Sequence, residues 1–463
     1  MTNAAVPPAD PSPAVPSADP NPAVPPADPS PAASPVDPSP AVPSVDPSPA
    51  VPPPAAGPAV PPTPEHLDPA PRDAADALAA HRGRFLSGDG VVAYLDGNSL
   101  GRPLARTLDH YPTFVREEWG GRLIRGWDES WLGRAEELGD RLGAACLGAA
   151  SGQTIVADST TVLIFKLLRA AIAARPGRDE LVIARDEFPT DRFIVERLAE
   201  DHGLTVRWLD TAHDGGATPE LVAEAVSERT IAALLGGVAY RSAWFAPMRE
   251  ITAIVQSHGA LVIWDCSHAV GSVPLELDAW GVDMAVVCSY KYLNGGPGAP
   301  AWAYVASRHQ HELRNPISGW LGAAEPFSMT EGFQPAPGIR RLVSGTPPIT
   351  AMVPLADMLD EIEEAGMPAI RAKSMALTGY AIELVDALIP VARLASPRDV
   401  ERRGGHITID HPNAARAVER VWAEGVIPDF RHPSGVRIGL SPLSTSFAEV
   451  ERGIRSLAAA LAD

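Results

Sequence analysis

LVIWDCSH (261–268) and MAVVCSYKYLNGGPG (284–298) decide the fold. Each opens with an aliphatic run of strand length and no polar alternation, the pattern of a strand covered on both faces. Four similar runs, LVIARD (181–186), VRWLD (206–210), IAALLGGV (231–238) and AWAYVAS (301–307), lie nearby in the chain. Among them are amphipathic stretches at Thr190–His202, Pro219–Val226 and Pro247–His258, with Gly203 and Gly259 placed as stops. Strand, helix, strand at this rhythm predicts an α/β fold whose large domain holds a mainly parallel sheet.

The last hundred residues read differently. A long helical stretch from Pro354 to Leu388 precedes strands around HITIDH (406–411) and GVRIGL (435–440), with helices at Asn413–Glu424 and Phe447–Leu461. This predicts a smaller α+β C-terminal domain over residues 346–463, after a large domain at 67–345.

The opposite end has its own composition. Of 49 prolines, 24 fall within residues 1–64, where Asp10, Asp19, Asp28, Asp37 and Asp46 recur every nine residues, each followed by proline. Proline at that density removes amide donors, so residues 1–66 are expected to be a disordered, partly polyproline II tail. A spacer is one reading of it, and docking to a proline-reading module the other.

The whole chain of 463 residues carries a net charge of -19, and no Lys/Arg block exceeds a pair. Phosphate backbones and anionic headgroups are repelled, so neither nucleic acid nor a membrane is an expected partner. No apolar run is long enough to span a bilayer, and the start lacks the regions of a secretory signal. Three cysteines, Cys146, Cys266 and Cys288, with no C-x-x-C pair, fit a reducing cytoplasm. His309 and His311 are spaced wrongly for a helical metal pair, and no metal is expected.

Three elements could carry chemistry. Lys291 follows an apolar strand and precedes a glycine-rich turn, at the sheet edge where α/β ligands bind, and desolvation there would make its amine a Schiff-base nucleophile. Read alone, it is equally a surface lysine. Asp265 ends another buried-type strand and could hold a pyridinium nitrogen protonated, or merely cap a turn. ADSTTVLIFKLL (157–168) starts a helix with hydroxyls and free amides, a phosphate cup or an ordinary cap. Together they suggest pyridoxal phosphate.

YLDGNSLGRPL (94–104), WGGRLIRGW (119–127), ADSTTV (157–162), EFPTDRF (187–193), WDCSHAVG (264–271), SYKYLNGGPG (289–298), SGWLG (318–322), GTPPI (345–349) and GVRIGLSPL (435–443) occur in this order. In these motifs the chain resembles the kynureninases, pyridoxal phosphate enzymes of fold type I in the aspartate aminotransferase superfamily. The resemblance implies that Lys291 bonds to the cofactor, Asp265 pairs with the pyridine nitrogen and His268 lies beside it. It implies that Thr160, Thr161 and Tyr290 hold the phosphate, with Tyr290 also moving protons, while Phe188 stacks on the ring and Asp191 sits at its edge. Trp320 and Thr346 match positions that reach the cofactor across a homodimer interface. Arg437 matches the clamp on the substrate α-carboxylate, a task for its bidentate fork. Without the resemblance, Phe188 and Trp320 would read as core aromatics, Arg437 as a solvated edge charge and the cysteines as small core hydrophobes.

The implied reaction is hydrolysis of the Cβ–Cγ bond of L-kynurenine to anthranilate and L-alanine, with the freed lysine removing the Cα proton. Trp127, Gly345 and Thr346 resemble the bacterial substrate pocket and favour kynurenine over its 3-hydroxy form. The pattern breaks in LLGGVAYRSA (234–243), where relatives usually carry Ser or Thr at the position of Gly236, so that Gly236, Gly237 and Ala239 remove polar contacts. Two other functions compete. A Cβ–Sγ lyase or cysteine desulfurase would need a mobile catalytic cysteine between about 320 and 400, and there is none. A non-enzymatic scaffold working through its proline-rich tail would have no use for Lys291, Asp265 and Arg437 together.

Overall fold

The computed structural model describes residues 62–329 and 331–462. The expected disordered tail therefore lies outside the described residues as far as residue 61. Its last residues are held to the body: the Thr63 hydroxyl donates to Glu451 and accepts from Arg455, and Leu67 is buried.

A short strand β1 (Ala93–Tyr94) precedes a seven-stranded sheet of β2 (Thr154–Val156), β3 (Glu180–Ala184), β4 (Thr205–Leu209), β5 (Thr230–Gly236), β6 (Leu261–Asp265), β7 (Met284–Val287) and β8 (Trp302–Val305). Their order is β2-β8-β7-β6-β5-β3-β4. Neighbours are parallel except where β8 runs antiparallel to both β7 and β2. The six runs read as strands are all strands; β2 is not legible in the sequence, because its three residues, TIV, carry no periodicity. Burial follows position in the sheet. Every residue of β3, β7 and β8 is buried, whereas the edge strand β4 alternates with solvent, as its Arg207 requires.

Helices cover the sheet where their caps dictate. Ser159 Oγ accepts from Val162 N–H at 3.4 Å to start Thr160–Ala174, and Pro189–His202 ends on Gly203 in the left-handed conformation. The single helix expected from Pro354 to Leu388 is instead two, Met352–Ala365 and Met367–Leu388. Gly366 between them takes φ 75° and ψ 135°, outside the helical region, and Pro368 sits in the first turn of the second helix, where its missing N–H costs nothing.

The second sheet holds β9 (Arg393–Leu394), β10 (His406–Asp410), β12 (Asp429–Arg431) and β13 (Gly435–Gly439), antiparallel in the order β12-β13-β10-β9; β11 (Val426–Ile427) pairs instead with β1. Two hydrophobic cores result. One surrounds the large sheet, and the other joins Tyr380, Ile407, Ile438 and Phe447 to Leu67, Ala93 and Leu95 from the far end of the chain. No helix among the described residues is long and apolar enough to cross a membrane.

Candidate active site

Parallel strands present their carboxyl ends along one edge of a sheet, and loops from that edge meet at Lys291. Lys291 follows β7 by four residues, is 9% exposed, and donates from Nζ to His268 Nε2 at 2.9 Å. The Phe188 and Tyr290 ring centroids lie 5.8 and 5.9 Å from the same nitrogen. Burial, and then the nearby charges of Lys291 and Arg437, push the His268 pKa well below its ordinary value. The neutral ring accepts from the lysine and leaves Nδ1 buried with no partner among the described residues.

Asp265 ends β6. One of its oxygens accepts from Ser267 N–H at 2.8 Å, and Ser267 Oγ accepts from Cys288 N–H at 3.1 Å, which ties the ends of β6 and β7 together. The turn-capping alternative is thus met by a single oxygen of that carboxylate. Two more carboxyls face it from the loop and helix after β3. Asp191 is 1% exposed, its Oδ2 is unpartnered, and burial, followed by Asp265 and Glu187, raises its pKa well above the carboxylate range. Burial likewise pushes Glu187 up to about 8, against the Gly236 N–H that donates to it at 2.7 Å. Phe188 is 36% exposed and edge-on to Tyr240 at 5.6 Å, hence no core aromatic. Burial, then Cys288, raises the Tyr290 phenol and keeps it protonated.

Thr160 and Thr161 open the helix after β2, at the same sheet edge, with Ser159 as its cap. A fifteen-residue helix presents unbonded amides there and carries the positive end of its dipole.

Arg437 lies in β13 and is 1% exposed, which removes the reading of a solvated edge charge. Its Nη1 donates to the Tyr240 carbonyl at 2.8 Å, and its Nη2 donates to Ser99 Oγ at 2.6 Å and pairs with Asp429 at 2.5 Å. The Asn98 amide, with its oxygen turned to Nε at 2.9 Å, donates to Asp96 at 3.2 Å. Burial, followed by the charge of Asp429, holds Asp96 at about 6. Burial, then the charge of Arg431, lowers the arginine itself.

Four residues singled out in the sequence stand apart from this cluster within one chain. Trp127 packs edge-on against Trp131 at 5.6 Å. Gly345 and Thr346 line a cavity of about 290 Å³ with Asp158 and Gly298. Trp320 is 45% exposed, edge-on to Phe327, and so is no core aromatic. Conversely, residues the sequence did not single out belong here. Glu187 was visible only as the first letter of a motif, and Asp96, Asn98 and Ser99 as parts of another. His406, fully buried, lies 5.6 Å from the His268 ring. Its signal was faint: it opens β10 on the same face as Thr408, paired in register with Gly439. All three cysteines are buried, with burial pushing Cys146 up to about 12 and Cys266 well above its ordinary value. Among the described residues no group of three or more His, Cys, Asp or Glu is placed to hold a metal ion.

The chain is 38% identical over 395 residues to the kynureninase of Pseudomonas fluorescens, a match covering 83% of this chain and 92% of that one. It belongs to the kynureninase family. A kynureninase of Burkholderia pseudomallei (strain K96243) matches at 37% over 394 residues, with the same shares of both chains. The family model of the kynureninase C-terminal domain matches residues 370–457, and that of the DegT/DnrJ/EryC1/StrS aminotransferase family residues 149–277. Among solved structures, apo cysteine desulfurase from Thermococcus onnurineus NA1 superposes with a TM-score of 0.68 at 17% identity, covering 81% of this chain and 96% of that one. A C-DES variant with glycine covalently linked to its PLP cofactor gives 0.71 at 16%, covering 79% and 96%. At such identities these structures establish the shared fold type I architecture alone.

Proposed function

We propose that this kynureninase family member hydrolyses the Cβ–Cγ bond of L-kynurenine to anthranilate and L-alanine with pyridoxal 5'-phosphate as cofactor. The observation that carries the proposal is Lys291, buried at the carboxyl edge of the sheet, 2.9 Å from neutral His268 and 5.8 Å from the centre of the Phe188 ring.

The residues fit this cofactor. The unpartnered Asp191 Oδ2, His268 Nδ1 and Ser289 Oγ are buried polar atoms that need a ligand, and the Thr160 helix start suits a phosphate. Lys291, Asp265, His268, Thr160, Thr161, Tyr290, Phe188 and Asp191 would hold it. When bound, it supplies an electron sink for charge that develops at the substrate α-carbon.

The chain supplies the rest. Asp265, a carboxylate at the end of β6, keeps that sink cationic. Lys291, whose Nζ lies 2.9 Å from His268 Nε2, is the base at Cα. Arg437 orients the α-carboxylate, which takes the place Asp429 and Ser99 now hold on the guanidinium. Water adds to the γ-carbonyl, the Cβ–Cγ bond breaks, and Tyr290, kept protonated by burial, passes a proton to the β-carbon. Anthranilate keeps the water oxygen, so atoms balance.

Trp320 and Phe327, edge-on to each other and exposed, are apolar rings that a second copy of the chain would cover, bringing Trp320 and Thr346 to the partner's cofactor. Trp127, Gly345 and Thr346 then shape the ring pocket and favour kynurenine over 3-hydroxykynurenine. The division into a tail of residues 1–66, a large domain and a small domain, and a place in the cytoplasm for three free thiols, belong to the same reading. The desulfurase alternative has no support, because no thiol among the described residues is accessible.

One tube tests this: an absorbance spectrum with pyridoxal phosphate, then L-kynurenine with anthranilate fluorescence recorded. A cofactor band absent from Lys291→Ala, followed by anthranilate release, is expected. A band without product would move the substrate elsewhere, and no band would sink the proposal.

A further inference from the structure

Position 236 is glycine at the end of β5, paired in register with Asp265, and the space its side chain would fill is taken. A Cβ built there would lie 2.9 Å from Glu187 Oε2, closer than real Cβ atoms come. Glu187 reaches that space from the loop after β3, is 9% exposed, and is anchored by the Gly236 N–H on its other oxygen at 2.7 Å. The same backbone site therefore has two competing ways to present a polar group beside Asp265: a side chain at 236, which must push the Glu187 tip aside, or the carboxyl of Glu187 over a glycine.

We infer that Glu187 is a positioning residue of the cofactor ring seat, its carboxyl supplying beside Asp265 the polar group that glycine at 236 cannot. This rests on the pyridoxal phosphate reading above. The physical reason is charge. Glu187 faces Asp265 from β6, Asp191 and Arg192 from the helix Pro189–His202 and Asp186 on its own loop, while Lys291 is the cation nearest Asp191. Three carboxylates cannot all ionise in one dry pocket against so few cations, and burial raises both Glu187 and Asp191. Burial, the main cause, places the loss of the Glu187 proton at about 8. A neutral carboxyl both accepts from Gly236 N–H and donates, as a hydroxyl would. Ionised, it adds a second negative charge beside the carboxylate that pairs with the ring nitrogen.

The test uses the full-length holoenzyme and compares wild type with Glu187→Gln, Glu187→Ala, Gly236→Ser and Glu187→Ala/Gly236→Ser. The readouts are the dissociation constant for pyridoxal phosphate, the pH dependence of the bound cofactor's absorption band and the melting temperature of the cofactor-free protein. Glu187→Ala is expected to weaken cofactor binding about tenfold, the size of one buried hydrogen bond. Adding Gly236→Ser to it should recover most of that loss, whereas Gly236→Ser alone, clashing with Glu187, should weaken binding further. Glu187→Gln should hold the cofactor while abolishing a band transition near pH 8. A band transition unchanged in Glu187→Gln, or a double variant no better than Glu187→Ala, overturns the inference; a fall in apo-protein melting temperature with unaltered cofactor affinity does so too, since a merely structural carboxyl would give that. Failure of the underlying reading looks different, because wild type itself would then show no cofactor band.

Discussion

The Lys291 cluster and the Arg437 cluster are both buried, and they handle burial in opposite ways. Around Lys291 polar atoms are left over: His268 Nδ1, Asp191 Oδ2 and Ser289 Oγ have no partner among the described residues, and carboxyls outnumber the cations that face them. Around Arg437 each guanidinium nitrogen is engaged, by Tyr240, Ser99, Asp429 and Asn98. On the proposed reading, the first region is completed by a ligand that stays, and in the second a substrate carboxylate exchanges for an internal partner of the arginine, a trade of one anion for another that avoids leaving the guanidinium bare when substrate departs.

The comparison can be broken at several points. The largest effect is expected for Lys291→Ala, which should lower turnover by at least about 10^4-fold, as read by anthranilate fluorescence, and abolish the protein-bound cofactor adduct after borohydride reduction. Retained turnover would mean that the leftover polar atoms serve something else. Arg437→Lys comes next, with kcat/KM reduced about 100-fold and most of the loss in KM, because a point charge cannot replace a fork. A change confined to kcat would deny it the carboxylate.

A third test concerns pH. The folded pKa of Glu187 lies above its unfolded value of 4.5, so its contribution to stability is full below that value and is lost as pH rises toward about 8. Urea midpoints of the cofactor-free protein should therefore fall between pH 6 and 9 by more in wild type than in Glu187→Gln, a difference on the order of a few kcal/mol. Equal pH profiles would show that the pocket does not hold this proton. Trp320→Ser should shift the sedimenting species toward monomer and weaken cofactor retention, leaving the Arg437 cluster untouched. The smallest effect belongs to a region outside both: Gly366→Ala should cost about 1 kcal/mol, seen as a lowered melting temperature with unchanged kinetics.

Much of the fold was legible because parallel strands, buried on both faces, must be apolar throughout, and the helices between them need caps and stops at set positions. Six of the seven large-sheet strands could be read this way; β2 could not, being three residues long, and neither could the break at Gly366, since one glycine in a periodic stretch does not announce its φ. The chemistry of Lys291, Asp265 and Arg437 was open to inference from residue type and place in the motif order. What sequence by itself determined, then, is the sheet, the edge that carries the site, and the family.

Tertiary structure decided the rest. It brought Leu67, Ala93 and Leu95 into the core of the C-terminal sheet and set His406 beside His268. It surrounded Arg437 with Asp429, Ser99 and Asn98, and slid the Glu187 carboxyl into the space over Gly236. Except for Arg437 with Asp429, these are contacts across tens to hundreds of residues. Periodicity reports only which face of an element is dry, whereas the protonation of a buried group depends on which charges other elements bring to it, and that is known only once the chain has closed on itself.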